Sequence, residues 1–246
     1  MEHTVNTITN WLKDQVKQTN VKGLVVGVSG GLDSAVVANL IKRACPEHSL
    51  GVIMPIQSNP ADIIDAQKVV DSCGLANLTV DLTNTHKLMY DNIQKQIKTR
   101  NEWHEELNRI ADANLRARIR MSTLYTIATI YQYLVVGTDN AAEWYTGYFT
   151  KYGDGGVDLQ PIVDLTKGEV RELAAYLEIP EEVIAKQPSA DLWIGQTDES
   201  EMGTTYANID AYVKGKEIPE QDKQIIEKLH ERTEHKRKIA TQLRLK

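Results

Sequence analysis

One eight-residue segment combines glycines, hydroxyl groups and a carboxylate in a pattern suited to binding phosphate. Its residues are Gly27, Val28, Ser29, Gly30, Gly31, Leu32, Asp33 and Ser34. The glycines allow backbone N–H groups to converge on one point, and the helix predicted to follow adds further unpaired donors. Asp33 would repel a phosphate unless a divalent cation bridges the two. The segment therefore predicts a phosphate site that uses Mg²⁺.

The same glycine-rich segment also fits patterns with different uses. A Walker A loop is disfavoured because no lysine stands at the required place after the glycines. The spacing of Gly27, Ser29 and Gly31 matches the nucleophile elbow of α/β-hydrolases, although an elbow gives Asp33 no role. A plain strand-to-helix turn, with Asp33 and Ser34 as capping residues, is a further alternative. The elbow and the plain turn stay open at this point.

The periodicity of apolar residues predicts alternating strands and helices, beginning with a helix that carries Val5 and Leu12 on its apolar face. Strands are predicted at 24–28, 50–54, 78–82 and 134–137, with a fifth near 159–163. Helices are predicted at 34–44, 60–72 and 168–177, through the proline-free and glycine-free stretch 83–133, and near the C-terminus. The expectation is an α/β fold, a three-layer αβα arrangement with a five-stranded parallel sheet, forming a single domain over residues 1–246.

Composition narrows the class of protein. The net charge of -6 over 246 residues argues against a surface built to hold nucleic acid. The two cysteines are too few for a disulfide framework. No apolar run approaches the ~20 residues that span a bilayer, and no signal-peptide pattern opens the chain. We expect a cytoplasmic protein with no membrane and no nucleic-acid partner.

The segment 29–34 resembles the signature of ATP pyrophosphatases, which split ATP between its α and β phosphates. Three more stretches resemble the NAD synthetases within that family: Gly-Thr-Asp-Asn-Ala-Ala-Glu at 137–143, Phe-Thr-Lys-Tyr-Gly-Asp-Gly-Gly at 149–156 and Thr-Glu-His-Lys-Arg at 233–237. The resemblance implies ATP-dependent amidation of deamido-NAD through an acyl-adenylate, with ATP as co-substrate and Mg²⁺ as cofactor. Free ammonia is the expected nitrogen donor, because 246 residues leave no room for a glutamine-using domain.

The resemblance also implies roles for individual residues. The catalytic residues would be Asp33, Glu143, Lys167 and Asp158, of which Asp33 and Glu143 would share the metal. The ATP site would comprise Gly27, Val28, Ser29, Gly30, Gly31, Leu32, Asp33, Ser34, Thr138, Lys167 and Ser189. The deamido-NAD site would comprise Arg118, Lys151, Asp158, His235 and Lys236. In the family's sheet order the first and fourth strands are adjacent, so Asp33 should face Glu143 across the topological switch point.

Two positions depart from the family pattern, because Ser189 stands where relatives usually have threonine and Asn140 stands where many have histidine. The resemblance implies a homodimer that uses the helices between the third and fourth strands. A tRNA-modifying ATP pyrophosphatase and a nucleotide-binding sensor are the competing classes. The tRNA-modifying enzyme would have an overall excess of basic residues and often paired reactive cysteines. The nucleotide-binding sensor would have no reason to keep both Asp33 and Glu143. The basic residues after position 230 also fit a nucleic-acid tail, but His235 and Lys236 match a dinucleotide contact.

Overall fold

The computed structural model of the protein describes residues 1–188 and 197–244. The strands are β1 Gly23–Gly27, β2 Ser49–Ile53, β3 Ala76–Thr79 and β4 Tyr133–Val136. The helices before β4 are α1 Glu2–Thr19, α2 Leu32–Ala44, α3 Pro60–Ser72, α4 Thr83–Thr99 and α5 Asn108–Tyr131. Those after it are α6 Ala141–Thr146, α7 Lys167–Tyr176, α8 Glu181–Ile184, α9 Asp198–Met202, α10 Tyr206–Val213 and α11 Glu220–Thr233.

The sheet is parallel, and its strand order β3-β2-β1-β4 places the fourth strand next to the first. Val25 is paired with Leu50 of β2 on one side and with Val135 of β4 on the other. Strands β2 and β3 follow β1 on one side, and β4 then lies on the opposite side of β1. The carboxyl ends of β1 and β4 therefore border the crevice where ligands bind in sheets of this kind. This adjacency confirms the predicted position of the fourth strand.

Helices pack on both faces of the sheet because successive strand residues point to opposite sides. Leu24 and Val26 of β1 belong to one buried cluster, which also takes in α1, α2, α3 and α7. Val25 belongs to a second buried cluster on the other face, with Leu82 and residues of α5 such as Leu124. The α/β class and the parallel sheet are thus confirmed.

The predicted number of five strands is wrong for the described residues, which form a four-stranded sheet. Near the expected fifth strand, at 159–163, the structure has one isolated parallel bridge between Val136 and Leu159. Pro161 lies in the middle of that stretch and has no N–H to donate to a ladder. The pairing therefore stops after one bridge, because the residues that follow Leu159 cannot continue it.

The stretch predicted to be helical from 83 to 133 is divided in two. Helix α4 ends at Thr99, and α5 begins at Asn108 after a short 3₁₀ turn, Glu105–Leu107. The residues between the two helices include no proline or glycine. Asn101 instead adopts a left-handed conformation with φ of 56°, which asparagine tolerates better than most residues. Within the described residues, no helix has the length and apolar character needed to cross a membrane.

The C-terminal helix α11 is packed closely against the end of α6. Gly147 ends α6 with a positive φ of 67°, and a Cβ built there would overlap with Oγ1 of Thr233. Thr233 Oγ1 also donates to the carbonyl of Thr146 at 3.1 Å. Lys236, just beyond α11, donates to the carbonyls of Gly147 and Phe149. This close approach holds the His235–Lys236 region beside α6.

The substitution Gly147→Ala should destabilise the protein by about 2–4 kcal/mol, because the left-handed backbone and the clash with Thr233 act together. Urea unfolding measures this change. Gly74→Ala is the matched control, since Gly74 has a similar φ of 62° with nothing within 4 Å of the added methyl group. Equal losses of stability in the two variants would show that the contact with Thr233 is not tightly packed.

Candidate active site

The glycine-rich loop follows β1 and turns into α2, as the sequence predicts. Ser29 Oγ accepts the Gly31 N–H at 3.2 Å and lies 3.1 Å from the Ser34 hydroxyl, which in turn donates to the Gly31 carbonyl. Gly30 has φ of 82°, and a Cβ there would lie 2.6 Å from the Asp62 carbonyl oxygen. Only glycine fits this position without strain. The loop is therefore held in a fixed shape at the end of β1.

A buried lysine joins the first turn of α2 to the first turn of α6. Lys167 Nζ lies 2.5 Å from Asp33 Oδ2 and 3.4 Å from Glu143 Oε1, and its side chain is only 3% exposed. Asn140 donates its side-chain N–H to Asp33 Oδ1 at 3.0 Å, and its backbone N–H reaches Glu143 Oε2. The prediction that Asp33 faces Glu143 is confirmed in this respect, since one ammonium contacts both carboxylates.

The first turn of each contributing helix fixes these side chains. Asn140 is the N-cap of α6 and accepts the backbone N–H of Glu143, while the Glu143 carboxylate accepts the Asn140 N–H, so the two form a capping box. Lys167 is the first residue of α7, which begins with a second capping box between Thr166 and Glu169. The functional groups thus belong to helix starts whose caps are encoded locally.

Acidic groups outnumber basic groups in this cluster, and burial together with the neighbouring charges shifts the pKa values of its members. Burial, and then the Asp33 carboxylate, raise the pKa of Glu143 to about 7 although Lys167 opposes the shift. Burial would lower the pKa of Lys167, but Asp33 and Glu143 outweigh it and raise that pKa above its ordinary value. Burial also raises the pKa of Asp198 and, with Asp154 and Glu143 nearby, that of Asp139. Such a set of buried acids is common at functional sites.

A cavity of about 890 Å³ opens over the cluster and is large enough for nucleotide substrates. Most of the residues expected to bind ATP line this cavity. They are Gly27, Val28, Ser29, Gly31, Leu32, Asp33, Ser34, Thr138 and Lys167, joined by Glu143 and Lys236. Among the described residues no histidine lines it, so a hydrolase site would lack the usual general base beside Ser29.

The remaining predicted residues lie elsewhere. Arg118 donates to the Lys151 carbonyl, and Lys151 Nζ donates to backbone carbonyls of the C-terminal segment, including that of Lys238. Both Asp158 carboxylate oxygens accept hydrogen bonds, one from Tyr125 and one from the backbone of β4. The backbone of Gly30 faces α3. None of these residues, nor His235, lines the cavity. Ser189 lies outside the described residues.

Sequence reasoning missed several side chains that contact the cluster. The Tyr206 hydroxyl lies 3.0 Å from Glu143 Oε1 and 2.9 Å from Asp198 Oδ2. Asp210 accepts the backbone N–H groups of Lys167 and Gly168. The four-residue spacing of Tyr206 and Asp210 on a helix was the available signal, because it places both on one face. The pattern resembles an ordinary amphipathic helix and did not stand out.

Asp33 and Glu143 fit the predicted magnesium site by their chemistry. They bring two carboxylates to one ammonium, beside a loop of phosphate donors, and Asp198 adds further negative charge. In the described part of the chain, no group of three or more His, Cys, Asp or Glu residues could hold a metal ion. Two carboxylates are nevertheless sufficient for Mg²⁺ when phosphates and water supply the other ligands.

Comparison with known proteins agrees with this geometry. The profile of the family described as NAD synthase matches residues 4–240. The chain is 55% identical to the NH(3)-dependent NAD(+) synthetase of Alkaliphilus metalliredigens, over 95% of this chain and 94% of that one. The chain belongs to the NAD synthase family.

Solved structures of family members superimpose on the fold over almost its whole length. A structure of NMN synthetase from Francisella tularensis matches with a TM-score of 0.91 and 36% identity, covering 99% of this chain and 98% of that one. The NH3-dependent NAD synthetase from Campylobacter jejuni, in complex with the nitrate ion, matches with a TM-score of 0.77 and 29% identity at the same coverage. The parallel sheet and its flanking helices are therefore shared with this family.

The raised pKa of Glu143 makes stability depend on pH. The folded protein keeps the Glu143 proton up to about pH 7, whereas an unfolded glutamate loses its proton near pH 4.5. Between these values the folded state binds more protons, so stability should fall as the pH rises. Glu143→Gln removes this effect. The free energy of unfolding of the variant, relative to that of the wild type, should therefore rise by roughly 1–3 kcal/mol from pH 5 to pH 8.

Denaturant unfolding of both proteins at pH 5 and pH 8, without nucleotide or metal, measures that gain. Glu227→Gln is a suitable control because Glu227 bonds to Tyr212 at a distance from the cluster. A difference between wild type and Glu143→Gln that does not change with pH would contradict the assigned charge state.

Proposed function

We propose that this protein is an ammonia-dependent NAD synthetase, which uses ATP to amidate deamido-NAD and releases NAD, AMP and pyrophosphate. The observation that carries the proposal is the junction of Asp33, Glu143 and Lys167 beside the phosphate-type loop, at the switch point of the sheet. Membership in the NAD synthase family supports the choice of reaction.

The reaction has two chemical steps. The nicotinate carboxylate attacks the α-phosphorus of ATP, the bond to the β-phosphate breaks, and an acyl-adenylate forms as pyrophosphate leaves. Ammonia then attacks the acyl carbon, AMP departs with the former carboxylate oxygen, and the nitrogen loses a proton. No protein nucleophile is needed, so the enzyme acts by positioning the reactants and stabilising charge.

Each part of the site has a role in this scheme. The backbone N–H groups of the loop and the hydroxyls of Ser29 and Ser34 bind the phosphates. The Lys167 ammonium neutralises the pyrophosphate as it leaves. Asp33 and Glu143 would hold Mg²⁺, which when bound offsets phosphate charge. Thr138 at the end of β4 lines the same cavity and supplies a hydroxyl to ATP. Ser189 is a further proposed ATP contact.

The dinucleotide is placed toward the C-terminal segment, where Lys236 lines the cavity. Lys151 and His235 belong to the same region, since Lys151 Nζ donates to the His235 carbonyl. Arg118 in turn donates to the Lys151 carbonyl, and Asp158 is held against β4. These four residues lie beyond the cavity of one chain, which fits a dinucleotide that extends past it.

A homodimer would complete such an extended site. Several large apolar side chains of α4 and α5 are exposed in the single chain: Leu88, Met89, Ile93, Ile110 and Ile130. An exposed set of this kind on neighbouring helices favours burial against another protein surface. We propose that the surface of α4 and α5 joins two copies, as the family resemblance implies.

A second candidate function is amidation of nicotinate mononucleotide. The enzyme from Francisella tularensis that matches with a TM-score of 0.91 is described as an NMN synthetase. The same chemistry would operate on both substrates, because the reacting carboxylate is identical and only the adenylate half of the acceptor differs. The relative at 55% identity, described as an NAD(+) synthetase, favours the dinucleotide.

The direct assay supplies ATP, Mg²⁺ and ammonium with equal concentrations of the two acceptors. AMP and pyrophosphate should form in equal amounts that match the sum of NAD and NMN, with kcat/KM for deamido-NAD at least about tenfold above that for the mononucleotide. Preferential formation of NMN would establish the second candidate instead. ADP as the main product would contradict both, because it requires cleavage between the β and γ phosphates.

Asp33 and Glu143 should act as one unit. Asp33→Asn and Glu143→Gln should each lower kcat by about 10²-fold or more, and the double variant should be little worse than either. Once one carboxylate is lost, the metal is already misplaced. Glu227→Gln is a matched control, because Glu227 bonds to Tyr212 and not to the cluster. Fully additive losses, or a Glu143→Gln enzyme with normal rates, would refute the shared site.

A further inference from the structure

Helix α10 contacts the catalytic cluster through one buried face. Tyr206, at its start, is 2% exposed, and its hydroxyl lies between the carboxylates of Glu143 and Asp198. The Tyr206 ring also lies beside the buried ammonium, with Lys167 Nζ 4.8 Å from the ring centroid. The Tyr206 side chain thus contacts both Glu143 and Lys167 of the cluster.

Asp210 lies one helical turn further along the same face of α10. Its Oδ1 accepts the backbone N–H of Lys167 at 3.1 Å, and its Oδ2 accepts that of Gly168 at 2.9 Å. These N–H groups belong to the first turn of α7 and have no partner within that helix. Asp210 therefore fixes the backbone from which the Lys167 side chain extends.

We propose that α10 is a positioning element for the reaction, in which Tyr206 orients Glu143 and Lys167 while Asp210 anchors α7. The proposal rests on the proposed function and adds two positioning residues to it. A phenol is suited to this role because its hydroxyl is a neutral hydrogen-bonding group within reach of both carboxylates.

The contacts predict which step is affected. Glu143 Oε1 is shared by Tyr206 and Lys167, so removal of the hydroxyl takes away one of the contacts that hold the carboxylate in place. Displacement of a catalytic group by about 1 Å can lower the rate by about 10²-fold. Substrate binding depends on many other cavity contacts. The loss should therefore fall on kcat and on metal affinity more than on KM.

The test compares Tyr206→Phe with Tyr212→Phe. Tyr212 lies on the same helix, and its hydroxyl donates to Glu227 at 3.0 Å, so the control also loses one tyrosine–glutamate hydrogen bond. Tyr206→Phe should lower kcat about tenfold, change KM for ATP and the acceptor by less than about twofold, and weaken Mn²⁺ binding several-fold. The Mn²⁺ affinity is measured by electron paramagnetic resonance with a non-hydrolysable ATP analogue. Tyr212→Phe should match the wild type in all three.

Equal behaviour of the two variants would overturn the role of Tyr206. If Tyr206→Phe does not fold by circular dichroism, Asp210→Asn takes its place, and a folded Asp210→Asn with wild-type kcat and Mn²⁺ affinity would likewise overturn the proposal. The Mn²⁺ measurement needs no turnover. A wild-type protein that forms no NAD would therefore defeat the proposed function, while the comparison of affinities would still decide the role of α10.

Discussion

A buried ammonium joins the parts of the chain that must meet for the site to exist. Lys167 begins α7, Asp33 lies in the first turn of α2 and Glu143 in that of α6, and the three are far apart in sequence. A lysine as buried as Lys167 would be costly without partners, and two close carboxylates without a cation would also be unfavourable. Each group is stable in this position because the others are present.

The sheet order brings the segments that carry Asp33 and Glu143 together. With β4 beside β1, the segments that follow the two strands leave the sheet at the same edge. The caps then refine the positions: Asn140 both starts α6 and donates to Asp33, so a local helix signal also connects the starts of α6 and α2. The cluster still carries more acid than base, and burial, followed by the Asp33 carboxylate, raises the pKa of Glu143 to about 7. The protein thus keeps an unfavourable charge balance where a bound cation would relieve it, a trade of stability for function.

Much of this arrangement could be predicted from the sequence, for identifiable reasons. The buried strands at β1, β2 and β4 are short apolar runs, and the glycine-rich loop has a pattern with few other uses. The helix break near Asn101 could not be predicted, because an asparagine that adopts the left-handed conformation is a weaker sequence signal for a helix end than glycine or proline. The fifth strand was predicted from apolar residues although Pro161 interrupts the ladder. Tyr206 and Asp210 were missed because their significance depends on distant partners, and only the folded chain brings those partners together.

We propose that Asp33 and Glu143 hold one cation together, beside the Lys167 ammonium. A crystal structure with Mn²⁺ and a non-hydrolysable ATP analogue, with the metal located by anomalous scattering, would decide this. We expect a metal peak in contact with both carboxylates, and a Lys167 ammonium that has left at least one of them for a phosphate oxygen. A metal bound to the nucleotide away from both carboxylates, with Lys167 still between Asp33 and Glu143, would contradict the shared cation site.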